Sequence, residues 1–114
     1  METNLGSAFF GLCFLLCSAF AAAEIPDNAV WIDVRIQEEW VQGHLSRARL
    51  IPHDDIEKGV AALYLAKDTP IYLYCRSGNR AGQAKLRLEA IQYSQVTNVG
   101  SLEEALKLSG ASKR

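Results

Sequence analysis

The sequence has no surplus of either charge, few histidines and an odd number of cysteines. Twelve Lys and Arg stand against 13 Asp and Glu in 114 residues, a net charge of −1. That balance leaves no basic field to draw in nucleic acid or an anionic membrane surface. Three prolines and eight glycines exclude a low-complexity chain, and 22% charged residues beside 9% aromatics exclude disorder. Three cysteines cannot all pair with one another, which argues against a disulfide framework. His44 and His53 are scattered, with no ligand spacing between them and the thiols, so neither a metal nor another cofactor is expected. No internal repeat recurs, no linker parts two domains, and a chain of this length is one domain.

What is present is unevenly spread. Residues 7–23 carry no charged side chain and include Phe9, Phe10, Leu12, Phe14, Leu15, Leu16 and Phe20, closing on Ala21, Ala22 and Ala23. An apolar run that ends on small residues reads as a secretory signal peptide, with Ala21 and Ala23 in the small-x-small cleavage pattern. The region before it departs from the pattern, having Glu2 and no Lys or Arg. A retained membrane anchor is the rival reading, although the run is shorter than the roughly 20 residues that span a bilayer. The expectation is a cleaved signal over 1–23, export to the periplasm, and a folded domain over 24–114 with no membrane attachment. Cleavage removes Glu2, Cys13 and Cys17, so the remaining charges balance at about zero. Cys75 is then the single thiol.

The rest of the chain alternates between strand-like and helix-like segments. Residues 29–34, 48–51, 70–74 and 96–99 are short runs suited to strands, the first fit to be buried on both faces and the third the most apolar of those after residue 23. Between them, residues 35–43 suggest a short helix closed by Gly43. Asp54 or Asp55 is placed to cap a second helix, with Ile56, Val60, Leu63 and Tyr64 on one face. A third helix to about Gln92 carries Ala81, Ala84, Leu88 and Ile91 on one face, with Lys85, Arg87 and Glu89 turned to solvent. Ser101 and Glu104 form a capping box for a last helix bearing Leu102, Ala105 and Leu106. Strands alternating with helices indicate an α/β fold, a parallel sheet with helices on both faces. Trp31, Tyr72 and Tyr74 are expected in its core.

In open parallel sheets, ligands bind beyond the carboxyl ends of the strands, and Cys75 stands there, directly after the third strand. The helix that follows turns free backbone N–H groups toward the sulfur, which favours thiolate over thiol. Gly78 lets the short loop Cys75, Arg76, Ser77, Gly78, Asn79, Arg80 curl its amides into an anion-binding nest. Arg76 and Arg80 add positive charge. The alternative is an inert buried thiol, common for free cysteine. Neither histidine has a sequence signal placing it beside Cys75, so a Cys/His pair is the weaker reading.

These residues resemble the single-domain rhodaneses (thiosulfate sulfurtransferases), most of all the small exported ones of the phage shock protein E type. The similarity runs through Trp31, Ile32, Asp33, Val34 and Arg35, then Glu39 and Trp40, Gly43, His44 and Leu45, and Ala48 through Pro52. It is strongest from Cys75 through Arg80 to Ala81, and it extends to Val96, Thr97, Asn98, Val99 and Gly100. The resemblance implies a rhodanese-like fold, a minimal four-stranded sheet in the order 96–99, 71–75, 30–34, 48–51. It implies that Cys75 carries sulfur, that residues 76–80 cradle it, and that Asp33 and Arg35 support the site.

The activity implied is a double displacement. Thiosulfate gives its outer sulfur to Cys75 as a persulfide, and a thiophilic acceptor, cyanide or a thiol, removes it. No cofactor is implied, and a monomer suffices. This sequence departs from many relatives in having only residues 24–28 ahead of the first strand, and in Ser101 where a second glycine is usual. Four residues separate Cys75 from Arg80, which fits the tighter sulfurtransferase loop rather than the wider one of phosphatases and arsenate reductases of related fold. A phosphatase is therefore the runner-up among enzymes. A non-catalytic sulfur-binding or stress-related interaction module is the alternative of a different class.

Overall fold

The computed structural model describes residues 24–110, so the expected signal segment over 1–23 lies outside the described residues. Strand β1 is Val30–Asp33, helix α1 Gln37–Trp40, β2 Arg49–Leu50, α2 Ile56–Ala61, β3 Ile71–Cys75, α3 Asn79–Ala90, β4 Val96–Ser101 and α4 Leu102–Ser109. A 3-10 turn, His53–Asp55, leads into α2. All strand pairs are parallel, as the alternation of elements suggested, and the order across the sheet is β2-β1-β3-β4, as the family resemblance implied.

Side chains alternate along a strand, so the two central strands feed two cores. On one face Ile32, Val34, Ile71, Leu73 and Cys75 pack with Ile56 and Val60 of α2 and with Ala81, Ala84 and Leu88 of α3. On the other, Trp31 and Tyr74 pack with Leu45 and with Ala105 of α4. Helices thus cover both faces of the sheet, which is why β1, up to Asp33, and β3 are largely apolar. Trp31 and Tyr74 are buried as expected, whereas Tyr72 is half-buried at the margin of its cluster.

Several element ends differ from the sequence reading. Helix α1 is a single turn, and Gly43 takes a φ of 141° three residues beyond it. Strand β2 contracts to two residues. Ile56 and Val60 are buried, but Tyr64 does not share their face: it is 92% exposed. Helix α2 ends at Ala61, and Tyr64 adopts a left-handed φ of 54°, which breaks the helical repeat and turns the ring outward. Asp55 stands at the N-cap of α2 without a side-chain capping bond. Ile91 likewise falls outside α3 and is 37% exposed. Gln92, with φ 79°, reverses the chain there, and Tyr93 takes the core position instead. Arg87 is not simply solvated either, since its Nε donates to Glu57 at 3.0 Å and its Nη1 to the carbonyl of His53 at 3.0 Å.

Two features of β4 bear on the site. Its register against β3 slips after Leu73, which faces Asn98, while Tyr74 faces Gly100, so Val99 is bulged out of the ladder. The capping box forms as expected: Ser101 Oγ accepts from the amide of Glu104 at 3.2 Å, and Glu104 Oε1 accepts from the amide of Ser101 at 3.3 Å.

Candidate active site

Strand β3 delivers Cys75 to the C-terminal edge of the sheet, and α3 begins four residues later at Asn79. The sulfur lies under this connection, with Cys75 only 1% exposed, while Arg76, Ser77 and Asn79 face solvent. Gly78 has φ 98° and ψ −10°, a left-handed conformation that glycine enters without steric cost. This turn sends its amide inward, and the N–H donates to Cys75 Sγ at 3.0 Å. Burial pushes the Cys75 thiol up, but the amides of Ala81, Ser77, Gly78 and Arg80 outweigh it and hold the thiol below its ordinary value. The donors are the unpaired N–H groups of the loop and the first turn of α3, which have no carbonyl to bind within their own helix.

The loop is braced from the neighbouring strand. Asn98 Nδ2 donates to the carbonyl of Gly78 at 2.9 Å, and Asn98 Oδ1 accepts from the amide of Gly100 at 3.0 Å. The same Gly78 carbonyl accepts from the amide of Gly82 at 2.9 Å. Sequence reasoning had Asn98 only as part of a strand. The register slip beside it is a tertiary event with no local signature.

The two loop arginines have different surroundings. Arg80 forms a two-pronged pair with Glu39 of α1, Nη1 to Oε1 at 2.7 Å and Nη2 to Oε2 at 2.9 Å. Arg76 reaches the same carboxylate only at 3.7 Å, and its side chain is 81% exposed. Glu39 also accepts the amide of Ile36 at 3.2 Å. The Arg80 fork, opposed by burial and helped by the Ile36 amide, pulls the Glu39 carboxyl down to about 2. Glu39 was absent from the residues assigned to the site by sequence; its pairing spans 41 positions. The shared motif around it was the available signal.

Asp33 and Arg35 form a buried pair of their own. Arg35 donates from Nε to Asp33 Oδ1 at 2.9 Å and from Nη2 to Oδ2 at 2.6 Å, and its backbone N–H adds a third bond at 3.0 Å. Nη2 also donates to the carbonyl of Gly43 at 2.9 Å, pinning the turn after α1. The Arg35 guanidinium lies 5.7 Å from the centre of the Tyr74 ring, and the Tyr74 hydroxyl accepts from the amide of Leu45 at 3.0 Å. Both charges are spent on each other and on backbone. Through the Gly43 carbonyl the pair is tied to the turn that follows α1. A recess of about 240 Å³ between α1 and the loop is lined by Arg35, Glu38, Glu39, Gln42 and Arg76.

The histidines are engaged elsewhere. His44 stacks on Trp40 with ring centres 3.4 Å apart and its Nδ1 2.9 Å from the Trp40 carbonyl. His53 Nε2 lies 3.3 Å from Asp54 Oδ1. Among the described residues no group of three or more His, Cys, Asp and Glu could hold a metal ion.

The fold that carries this cysteine has counterparts among known proteins. The family model of the rhodanese-like domain matches residues 19–107. The chain belongs to the rhodanese-like domain family. Among relatives of this rhodanese-like chain, the thiosulfate sulfurtransferase PspE of Escherichia coli K12 is 35% identical over 74 residues, 65% of this chain and 71% of PspE. The probable adenylyltransferase/sulfurtransferase MoeZ of Mycobacterium tuberculosis is 32% identical over 68 residues, which are 60% of this chain but 17% of MoeZ. Solved rhodanese structures superpose in the same way. An E. coli rhodanese with anions has a TM-score of 0.64 at 34% identity, over 67% of this chain and 89% of that one. A Staphylococcus aureus rhodanese-like domain protein has a TM-score of 0.60 at 28% identity, over 78% of this chain and 82% of that one.

Proposed function

We propose that this rhodanese-like chain is a thiosulfate sulfurtransferase that carries sulfane sulfur on Cys75. The observation that carries the reading is the inward amide of Gly78, 3.0 Å from Cys75 Sγ, with the amides of Ser77, Arg80 and Ala81 turned to the same sulfur. Such a cradle stabilises a thiolate before transfer and a persulfide after it. The kinship with PspE, itself a thiosulfate sulfurtransferase, supports the choice of donor.

In the first half-reaction the Cys75 thiolate attacks the outer sulfur of thiosulfate. A sulfur–sulfur bond forms, the bond to the sulfonate sulfur breaks, and its electron pair leaves with sulfite. Charge is conserved: the thiolate's single negative charge passes to the persulfide, and sulfite carries off the two of thiosulfate. In the second, cyanide or a thiolate attacks the outer persulfide sulfur and leaves with it, regenerating the Cys75 thiolate. The lowered thiol supplies the anion, so neither step calls for a general base. Loop amides and the cationic Arg76 and Arg80 offset the charge that develops on sulfite.

Incubation with thiosulfate followed by intact-mass measurement tests the reading. The expected result is a gain of one sulfur atom, absent in Cys75→Ser and discharged by cyanide or a thiol. A folded Cys75→Ser protein that still transfers sulfur would sink the assignment. Hydrolysis of an aryl phosphate without any mass gain would point to phosphatase chemistry instead. Residues 1–23 serve as an export signal in this reading, and an exported protein whose N-terminus is not close to Glu24 would contradict it.

A further inference from the structure

Glu39 touches both loop arginines, and it touches them unequally. Its two oxygens fill both prongs of the Arg80 fork at 2.7 and 2.9 Å, and its side chain is only 17% exposed. Arg76 lies at 3.7 Å, largely in solvent. Arg35, which lines the same recess, has its fork occupied by Asp33 and Gly43. Arg76 is thus the guanidinium that an incoming anion can engage without breaking a close hydrogen bond. Arg80 has to be taken from Glu39 first.

We propose that Glu39 is a resident counter-anion that competes with dianions for Arg76 and Arg80, and so sets how tightly the site holds an anionic donor and how readily it releases the product. The identity of donor and product rests on the sulfurtransferase reading above, whereas the competition itself concerns anion binding alone. With Glu39 charged, the two arginines and the carboxylate sum to one positive charge. Without it they sum to two, against a thiolate that contributes one negative. A site with two free guanidiniums would hold sulfite after the first transfer, and would fill with sulfate or phosphate between turnovers. Glu39 acts through Arg76 and Arg80, so it is a positioning residue. It contributes repulsion toward dianions and a fixed geometry for Arg80.

Protection of Cys75 from iodoacetamide by sulfate tests this without turnover, beside sulfite inhibition in the thiosulfate–cyanide assay. Glu39→Gln is expected to bind sulfate roughly three- to tenfold more tightly than wild type, the scale of one freed, partly screened charge. Sulfite inhibition tightens in parallel and kcat falls, whereas mere damage to the loop would weaken anion binding. Arg76→Gln, at an exposed position, is expected to weaken sulfate protection at least threefold. Unchanged or weaker protection in a folded Glu39→Gln would overturn the proposal. If that variant does not fold, unchanged protection in Arg76→Gln overturns it equally. A wild-type protein that gains no sulfur, yet shows this pattern of protection, would refute the sulfurtransferase reading and leave the anion competition standing.

Discussion

Asn98 donates its side-chain amide to the carbonyl of Gly78 at 2.9 Å, so an edge strand holds the loop that surrounds the cysteine. Among the described residues no other side chain donates to that carbonyl, whose second donor is the amide of Gly82. Asn98→Ala is expected to lower stability by about 0.5–1.5 kcal/mol, the net worth of an ordinary hydrogen bond. Thiosulfate turnover should fall further than that stability loss suggests, by about tenfold, because the amides over Cys75 lose their register. Wild-type turnover in the variant would mean that the loop holds its shape without β4.

Gly78→Ala addresses the conformation itself. The φ of 98° is left-handed, and a Cβ there would meet Gly100 Cα at 3.4 Å, an ordinary contact. The cost is therefore backbone strain, about 1–2 kcal/mol, rather than a clash. The expected outcome is a lower melting temperature together with slower alkylation of Cys75 at neutral pH, as the amide at 3.0 Å turns away. Alkylation at the wild-type rate would show that this amide does not hold the thiolate.

Asp33→Asn removes the charge that balances a buried guanidinium. Asp33 is fully buried and Arg35 is 7% exposed, and breaking such a pair by deleting one partner costs about 3–5 kcal/mol. Urea unfolding should show a loss of that order, large for a domain of this size. Loss of sulfur transfer with full stability would instead place Asp33 in the chemistry.

Acid titration separates Glu39 from other carboxyls. Its folded value of about 2 lies below the ordinary 4.5, so its contribution to stability is fully present above about 4.5 and is lost as pH falls toward 2. Glu39→Gln should flatten the pH dependence of the melting temperature across that window and leave the region above it parallel to wild type. Cys75 follows the same sign: its thiol lies below the ordinary value. Its alkylation rate should therefore fall on acidification with a midpoint lower than that of a free thiol.

Much of this was legible along the chain. Period and turn residues located four strands. The Ser101 and Glu104 spacing located a helix start, and the position of Cys75 after an apolar strand pointed to the thiol. Local signals sufficed because each rests on residues within a few positions of one another. Tyr64 and Ile91 misled for a related reason, since the helical repeat continues in sequence past the point where the chain turns in space.

The sequence by itself determined the alternation of elements, the parallel sheet and a thiol, Cys75, poised before a helix, all consequences of local periodicity and connection length. Only the tertiary structure decided how the charges are shared. Arg76 and Arg80 look equivalent in sequence, yet Glu39, 41 positions from Arg80, occupies one and barely touches the other. Asn98 and Gly78, 20 positions apart, meet only because β4 lies beside β3 with its register slipped. Electrostatic pairing depends on distance in space, and that distance exists only once the sheet has brought separate segments together.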